Sequence, residues 1–352
     1  MTTKIKVMLV DDSAVIRQTL GQLLSADPEL SLIGAHSNPI FAMRAMEQQW
    51  PDVLVLDIEM PGMDGLTFLR SLMRSRPLPV IICSSLTMSG ARSSVEALAA
   101  GAVEIFAKPM MSSKEDLLRV GRDIIQAVKS AAKAKIVKQQ QSGALNHAAQ
   151  QQLLARATNH DQHDQARLLV IGTSTGGTQA LEFILSKVPA TLPPIAIVQH
   201  MPAAFTKAFA ERMDHISAMT VVEAEDNQLM RSGHAYIAPG GLHLQVEKRG
   251  HELYTVVRDG PPVSRHKPSV NVLFSSVARE IGSAASGFIL TGMGDDGARG
   301  LLEMQEQGAV TYAQDEASSV VFGMPKEAIK LGAVNHVLSL QEISVKLSKI
   351  RP

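Results

Sequence analysis

Five polar residues in the first third of the chain each follow a short apolar run. They follow residues 5–10, 53–56, 80–83 and 103–107 and are Asp11, Asp12, Asp57, Ser84 and Lys108. Grouped carboxylates repel one another, and Mg²⁺ relieves this repulsion by binding a few of them. A carboxylate beside a divalent cation and a lysine can accept a phosphoryl group, because the cations neutralise charge on the transferring oxygens. The set predicts a phosphoryl-acceptor site, although each aspartate alone could equally cap a loop or a helix.

A serine, a histidine and an acidic pair follow three later apolar runs. In chain order they are Ser174 after residues 168–171, His200 after 195–198, and Asp295 with Asp296 after 287–290. A serine hydroxyl is inert until a base takes its proton; histidine can be that base, and an aspartate stabilises the imidazolium that forms. This combination predicts a hydrolase with a Ser-His-Asp mechanism.

The glycine-rich stretch 172–177 around Ser174 fits two kinds of site. A G-x-S-x-G motif between a strand and a helix is typical of a nucleophile elbow, and N–H groups at the helix start can form part of an oxyanion hole. The same stretch could cradle a phosphate, although it lacks the lysine of a P-loop. By themselves, His200 could be an ordinary loop histidine and either aspartate of the acidic pair a helix cap.

Two series of alternating short apolar runs and longer amphipathic stretches must position these residues. Such βα alternation predicts parallel sheets covered by helices, with functional groups beyond the carboxyl ends of the strands. The first series ends near residue 129, residues 130–166 are rich in Gln, Ala, Asn and His, and the second series starts at 167. We therefore predict a domain over 1–129, a flexible linker over 130–166 and a doubly wound α/β hydrolase domain over 167–352. A poorly packed surface helix is the alternative for residues 130–166.

The elements of the second series are predicted individually from their periodicity. The predicted strands are 168–171, 195–198, 235–238, 253–257, 287–290 and 309–313. The predicted helices are 178–187, 205–216, 270–281 and 298–307.

The composition excludes several classes of protein. The 352 residues contain 34 Lys+Arg and 34 Asp+Glu, so the net charge is zero and gives no electrostatic reason to expect binding to nucleic acid. The single cysteine, Cys83, excludes an intrachain disulfide. No apolar run reaches the roughly 18–20 residues of a membrane span, and the N-terminus lacks a secretory signal. We expect a cytoplasmic monomer that does not insert into membranes.

The motifs of the first series resemble the response-regulator receiver family. The matching residues are 10–13, 56–65, Ser84 and 108–109, within a resemblance that covers roughly residues 4–125. The resemblance implies a receiver domain with a flavodoxin-like sheet of five parallel strands, phosphorylated at Asp57 by a histidine kinase. Ile105 stands where many receivers carry a rotating aromatic residue, so activation through an aromatic flip is not expected.

The resemblance also implies roles for the other polar residues of the receiver. Asp11, Asp12 and Asp57 would hold Mg²⁺ together with the backbone carbonyl of Glu59. Ser84 would close onto the phosphoryl group, and Lys108 would form an ion pair with it.

Segments of the second series are similar to those of the CheB family of chemotaxis protein-glutamate methylesterases. The segments align together with the motifs of the family. They are 173–177, 199–202, 238–241, 266–270, 290–294, 296–298, 314–316 and 323–325. The resemblance implies an enzyme that hydrolyses methyl esters of glutamate side chains on methyl-accepting chemotaxis receptors and releases methanol, without a cofactor for the ester chemistry. It further implies deamidation of receptor glutamines, and regulation of the hydrolase by phosphorylation of the receiver.

Residue by residue, the resemblance implies a catalytic triad. Ser174 would be the nucleophile, His200 the general base and Asp296 the orienting acid. Asp296 is preferred to Asp295 because it directly precedes Gly297-Ala298 of the family motif. The backbone N–H groups of two residues would form the oxyanion hole: Thr175 and Met293. Three further histidines are expected to be structural or to line the substrate site: His234, His243 and His266.

Two other classes of function compete with this interpretation. Receiver domains are often joined to DNA-binding domains, but residues 167–352 are long, rich in strands and lack a basic recognition helix. A non-catalytic adaptor is the second alternative, and the intact Ser174, His200 and Asp296 argue against it.

Overall fold

A computed structural model describes residues 3–60, 64–85, 87–108, 114–135 and 167–351 of the chain. The chain divides into two compact units, residues 1–139 and 140–352. Most of the predicted linker, residues 136–166, lies outside the described residues, as do Pro61, Gly62, Met63 and Pro109 of the receiver motifs.

The first unit is built around a parallel sheet, and all pairings among its described strands are parallel. Its strands are β1 Ile5–Val10, β2 Leu30–His36, β3 Val53–Leu56, β4 Val80–Ser84 and β5 Glu104–Ala107. They lie in the order β2-β1-β3-β4-β5. Every residue of β3 and β4 is buried, as expected for central strands covered on both faces. The predicted fold of five parallel strands is confirmed.

One helix follows each of these strands and begins three to nine residues after the strand ends. They are α1 Ala14–Ala26, α2 Pro39–Gln48, α3 Gly65–Ser75, α4 Met88–Ala99 and α5 Lys114–Ala131. The last helix continues two residues into the predicted linker. The side chains of Ser13, Asn38, Asp64 and Thr87 each accept a backbone N–H at the start of a helix, which satisfies donors that the first helical turn leaves unpaired.

Over residues 167–351, the second unit contains a larger parallel sheet and a hairpin. The strands are β6 Leu168–Thr173, β7 Ile195–Gln199, β8 Thr220–Glu223, β9 His234–Ile237, β10 His243–Arg249, β11 Glu252–Arg258, β12 Ala285–Ile289, β13 Val310–Gln314 and β14 His336–Leu338. Within the described residues, the sheet order is β14-β13-β12-β6-β7-β9-β8, and β10 pairs antiparallel with β11 outside that sheet. The doubly wound hydrolase fold is confirmed.

Four strands differ from the sequence prediction. The run 253–257 belongs to the antiparallel hairpin, because it returns along β10 after a turn at Gly250. The strands β8 and β14 were not predicted, since edge strands of three or four half-exposed residues carry little apolar periodicity. The strand β10 was not predicted either.

Helices of the second unit follow the strands and cover the sheet. They are α6 Gly177–Leu185, α7 Ala203–Ile216, α8 Val270–Glu280, α9 Ala298–Glu306, α10 Met324–Lys330 and α11 Leu340–Lys349. In the sheet, β6 lies between β12 and β7. Their carboxyl ends therefore meet at one edge and bring the residues after residue 173, residue 199 and residue 289 together. No helix within the described ranges is both long and apolar enough to cross a membrane.

Candidate active site and phosphoryl-acceptor site

Ser174 lies in a tight turn between β6 and α6. Gly177 donates its N–H to the carbonyl of Ser174 at 2.7 Å, which closes the turn. Gly176 has φ +76°, in the left-handed region, and a Cβ there would collide with Val320, so the turn requires glycine. The Ser174 residue is only 7% exposed. The strand-turn-helix context thus matches that of a nucleophile elbow.

Thr291, which follows β12, binds the residues on both sides of this nucleophile turn. Its carbonyl accepts the N–H of Ser174 at 3.0 Å and the hydroxyl of Thr173 at 3.0 Å. Its own hydroxyl donates to the carbonyl of Thr175 at 2.9 Å. Thr291 is 1% exposed, so these hydrogen bonds are shielded from water and hold the turn rigidly.

His200 and Asp296 form a buried pair beside this turn. Nε2 of His200 lies 2.8 Å from Oδ2 of Asp296, and the carboxylate is inaccessible to solvent. Because a carboxylate accepts, Nε2 carries the proton, and a neutral ring then has its lone pair on Nδ1. Nδ1 of His200 is buried and has no hydrogen-bond partner among the described residues. It is the nitrogen that can accept a proton.

The start of α8 supplies further donors to Asp296. The Ser269 hydroxyl donates at 2.8 Å, and the backbone N–H groups of Val270 and Asn271 donate at 2.7 and 3.1 Å. Burial raises the pKa of Asp296, but the hydrogen bonds from His200, Ser269 and Val270 outweigh burial and lower it. Asp296 is therefore held as a carboxylate.

Asp295 has a different environment. Its side chain is 64% exposed and lies 3.5 Å from the guanidinium of Arg265. The structure thus puts Asp296, and not its neighbour, against His200. The hydroxyl of Ser174 makes no hydrogen bond to His200 within the described parts of the chain, so the triad stays a prediction.

His266 packs face to face on His200. The ring centroids lie 3.7 Å apart and the planes deviate from parallel by 8°. Burial lowers the pKa of His266, and the neighbouring His200 lowers it further, so the ring is neutral at neutral pH. Sequence reasoning did not predict this contact, and the position of His266 in the 266–270 family motif was the only signal for it.

The other two histidines have structural partners. Nδ1 of His243 accepts the N–H of Ser269 at 3.2 Å, so its Nε2 is the donor to the carbonyl of Pro261 at 3.0 Å. His243 thereby anchors the loop that carries His266. The ring of His234 contacts the carbonyl of Ser232 through Nδ1 at 3.1 Å.

The two residues predicted for the oxyanion hole lie at the same edge of the sheet. Thr175 is 3% exposed in the turn after Ser174, and Met293 lies two residues after Thr291. The Thr291 hydroxyl joins the two loops through the Thr175 carbonyl. Their role in binding an oxyanion stays a prediction.

In the first unit, three aspartates cluster at the carboxyl ends of β1 and β3. Carboxylate oxygens of Asp11, Asp12 and Asp57 lie within 4.8 Å of one another. Nζ of Lys108, after β5, lies 2.7 Å from Oδ2 of Asp57 and 3.0 Å from Oδ2 of Asp11. Burial raises the pKa of Asp57 to about 6, against the lowering effect of Lys108. The two buried carboxylates of Asp11 and Asp57 thus share the ammonium group of Lys108.

The cluster fits a hard divalent cation. Oδ2 of Asp11 is buried, and within the described residues its charged partner is the Lys108 ammonium, which it shares with Asp57. Asp12 is exposed and opens the cluster to solvent. Three carboxylates with access to water form the ligand set that suits Mg²⁺.

Two other predicted receiver residues have their side chains directed to α4 and the loop before it. The Ser84 hydroxyl donates to the carbonyl of Gly90 at 3.3 Å and makes no hydrogen bond to Asp57 within the described ranges. The Glu59 carboxylate accepts hydrogen bonds from the hydroxyls of Ser85 and Ser89. The role of the Glu59 backbone carbonyl as a metal ligand stays a prediction. Ile105 is buried, 5% exposed, in β5.

Comparison with known proteins assigns both units. The CheB methylesterase family model matches residues 169–347, and the response regulator receiver domain model matches residues 7–120. A protein-glutamate methylesterase/protein-glutamine glutaminase of Chromobacterium violaceum is 52% identical, over 99% of this chain and 99% of its own length.

The chain belongs to the CheB methylesterase family.

A second family member, from Hahella chejuensis, is 50% identical over 97% of this chain and 95% of its own length, and carries the same name. The crystal structure of the catalytic domain of Thermotoga maritima CheB methylesterase is 37% identical with a TM-score of 0.51. It covers 52% of this chain and 98% of that domain. The chain is therefore a methylesterase-type enzyme that carries a receiver domain.

Proposed function

We propose that this protein hydrolyses methyl esters of glutamate side chains on methyl-accepting chemotaxis receptors and deamidates receptor glutamines. The buried His200–Asp296 pair beside the Ser174 turn is the observation that carries the proposal. The names of the related proteins supply the substrate chemistry, a glutamate methyl ester or a glutamine amide.

The mechanism follows from the orientation of the His200 ring. Asp296 accepts the Nε2 proton, so Nδ1 takes the proton of the Ser174 hydroxyl as the oxygen attacks the ester carbonyl. Nδ1 then returns the proton to the departing methoxide, which leaves as methanol. Water, activated by the same nitrogen, hydrolyses the acyl-enzyme and releases the glutamate carboxylate. The oxyanion of each tetrahedral intermediate is bound by the N–H groups of Thr175 and Met293.

Deamidation uses the same groups. An amide carbonyl gives the same type of tetrahedral intermediate, and the imidazolium of His200 protonates the leaving nitrogen. The product is again a glutamate, with ammonia in place of methanol.

The receiver regulates this activity. A histidine kinase transfers a phosphoryl group to Asp57. Asp11, Asp12, Asp57 and the backbone carbonyl of Glu59 would hold Mg²⁺ at this site. Bound Mg²⁺ would neutralise charge on the transferring oxygens. Lys108 forms an ion pair with the phosphoryl group. The Ser84 hydroxyl gives up its hydrogen bond to the Gly90 carbonyl and donates to the phosphoryl group instead.

Methanol release from methyl-labelled receptor membranes tests the proposal. The full chain is compared with Ser174→Ala, each with and without Mg²⁺ and a small phosphodonor. Ser186→Ala, at an exposed serine just after α6, is the control. We expect release that requires Ser174, is unchanged in Ser186→Ala and rises with the phosphodonor. Release that persists in Ser174→Ala would refute the mechanism. No release by the wild type, from membranes that a known methylesterase demethylates, would refute the substrate.

A further inference from the structure

Gln199 is the last residue of β7, and its side chain is directed to the two loops that carry the proposed nucleophile and base. Its Nε2 donates to the carbonyl of Ser174 at 3.0 Å and to the carbonyl of His200 at 3.1 Å. The residue is 4% exposed. A single buried amide therefore connects the two segments.

The hydrogen bond from Gln199 to the Ser174 carbonyl also fixes the direction of the next backbone N–H, that of Thr175. The backbone carbonyl oxygen of Ser174 accepts both the Gly177 N–H at 2.7 Å and the Gln199 amide. Two donors therefore fix the direction of this carbonyl. A peptide group is planar and trans, so the N–H of Thr175 points opposite to that carbonyl. Gln199 thus determines the direction of an N–H group that the proposed mechanism aims at the oxyanion.

The orientation of the Gln199 amide follows from chemistry. Both carbonyls only accept hydrogen bonds, so the atom facing them must be the NH₂ group. The remaining oxygen, Oε1, is buried and has no hydrogen-bond partner in the described parts of the chain. An unpaired buried acceptor lowers stability. A side chain with an unpaired buried acceptor is expected where holding functional groups in position matters more than the stability of the fold.

We propose that Gln199 is a positioning residue of the hydrolase site. It holds the Ser174–Thr175 peptide in the orientation that the tetrahedral intermediate requires and keeps the His200 segment in register with it. The inference rests on the proposed function for its mechanism, and it adds a residue that never touches the substrate.

Two variants of the full-length protein test this role. Gln199→Met keeps the length of the side chain and removes both hydrogen bonds. In Gln199→Glu a carboxylate faces two carbonyl oxygens at neutral pH, whereas the protonated acid at low pH can donate one hydrogen bond. Ser276→Ala is the matched control, because Ser276 is 1% exposed and its hydroxyl also makes two hydrogen bonds to backbone groups, on α8 and β10.

Two readouts are measured for each variant. One is methanol release from receptor membranes, analysed as kcat and KM. The other is the rate at which a fluorophosphonate labels Ser174, with Ser174→Ala as the blank, which reports on the site without any receptor.

We expect Gln199→Met to lower kcat and the labelling rate about 10–100-fold, the size of effect that a small displacement of reacting groups produces, with KM within twofold of the wild type. Ser276→Ala should lower the Tm at least as much and leave kcat within twofold. The rate of Gln199→Glu relative to the wild type should recover as pH falls.

Three outcomes would overturn the role of Gln199. The first is a Gln199→Met rate within twofold of the wild type in both assays. The second is a loss of rate matched by Ser276→Ala at equal Tm. The third is the absence of labelling in the wild type, which would refute the mechanism as well. Wild-type labelling without methanol release would refute only the receptor substrate, and the labelling rates then decide the role of Gln199.

Discussion

The imidazole rings of His200 and His266 lie parallel at 3.7 Å, and this contact restricts the proposed general base from a second direction. Asp296 sets the direction of the His200 ring through Nε2, while the stack sets its plane. His266 is itself fixed, because it exchanges two backbone hydrogen bonds with Val263 at 2.9 and 3.0 Å across a tight turn. The stack therefore joins the base to a rigid loop.

Removal of the stacking ring should slow the reaction. In His266→Leu, His200 keeps its bond to Asp296 but can tilt about it, and we expect kcat to fall about tenfold, within the range that misorientation produces. His266→Phe keeps a flat ring and should retain more activity. Methanol release is the measurement. The control is His251→Leu, at an exposed histidine in the turn between β10 and β11. Equal rates for His266→Leu and the wild type would contradict a role for the stack.

The same histidine should make stability depend on pH. The pKa of His266 is lower in the folded protein than its ordinary value of 6.5, so the unfolded chain binds more protons below about pH 6.5. Stability therefore falls as pH falls through this window. We expect His266→Phe to flatten the decline in the Tm of the catalytic unit between pH 6.5 and 4.5, measured by calorimetry. An unchanged slope, equal to that of His251→Phe, would show that His266 titrates normally.

Neutralising Asp296 should be far more harmful than neutralising its neighbour. In Asp296→Asn the amide has fewer accepting lone pairs for the four donors around the carboxylate, and it no longer stabilises the imidazolium. We expect kcat to fall about 10⁴-fold, the effect of the same change in a serine protease triad, and the Tm to fall as well. Asp295→Asn, at an exposed position, should leave both values nearly unchanged. Similar kinetics for the two variants would contradict the assignment of the acid.

Asp57 should be required for stimulation and not for the ester chemistry. Asp57→Asn removes the phosphoryl acceptor but leaves Asp11 to pair with Lys108. We expect no incorporation of phosphoryl groups from a small phosphodonor and no rise in methanol release, with the unstimulated rate retained. Asp64→Asn is the control, since Asp64 caps α3 and asparagine caps a helix equally well. Stimulation that survives in Asp57→Asn would place the acceptor elsewhere.

The close packing behind the nucleophile should make Gly177 irreplaceable. A Cβ at this position would overlap Thr173 and Gln199 side-chain atoms, and we expect Gly177→Ala to cost about 1–3 kcal/mol of stability by overpacking and to lower kcat. At Gly260 the nearest atom to an added Cβ is 3.6 Å away, so Gly260→Ala should have little effect. Thermal unfolding and methanol release check both variants.

Much of the architecture followed from local patterns. Short β-branched runs alternating with amphipathic stretches identify parallel sheets, and the residues directly after each run mark the carboxyl edge where side chains meet. The central strands were found because burial on both faces makes them almost wholly apolar. The strands β8 and β14 were not predicted, because short, half-exposed edge strands carry no such signal. The strand β11 was predicted in the wrong sheet, because the local sequence does not specify the pairing partner of a strand.

The sequence by itself determined which residue types reach the edge of each sheet, since secondary structure depends on short-range periodicity. Only the tertiary structure decided which of them touch. His200 meets Asp296, 96 positions later in the chain, because β6 separates the ends of β7 and β12 by a single strand. His266 reaches the His200 ring from a loop outside the sheet, and Gln199 turns back to Ser174. Such contacts depend on strand order and loop packing, which no local pattern specifies.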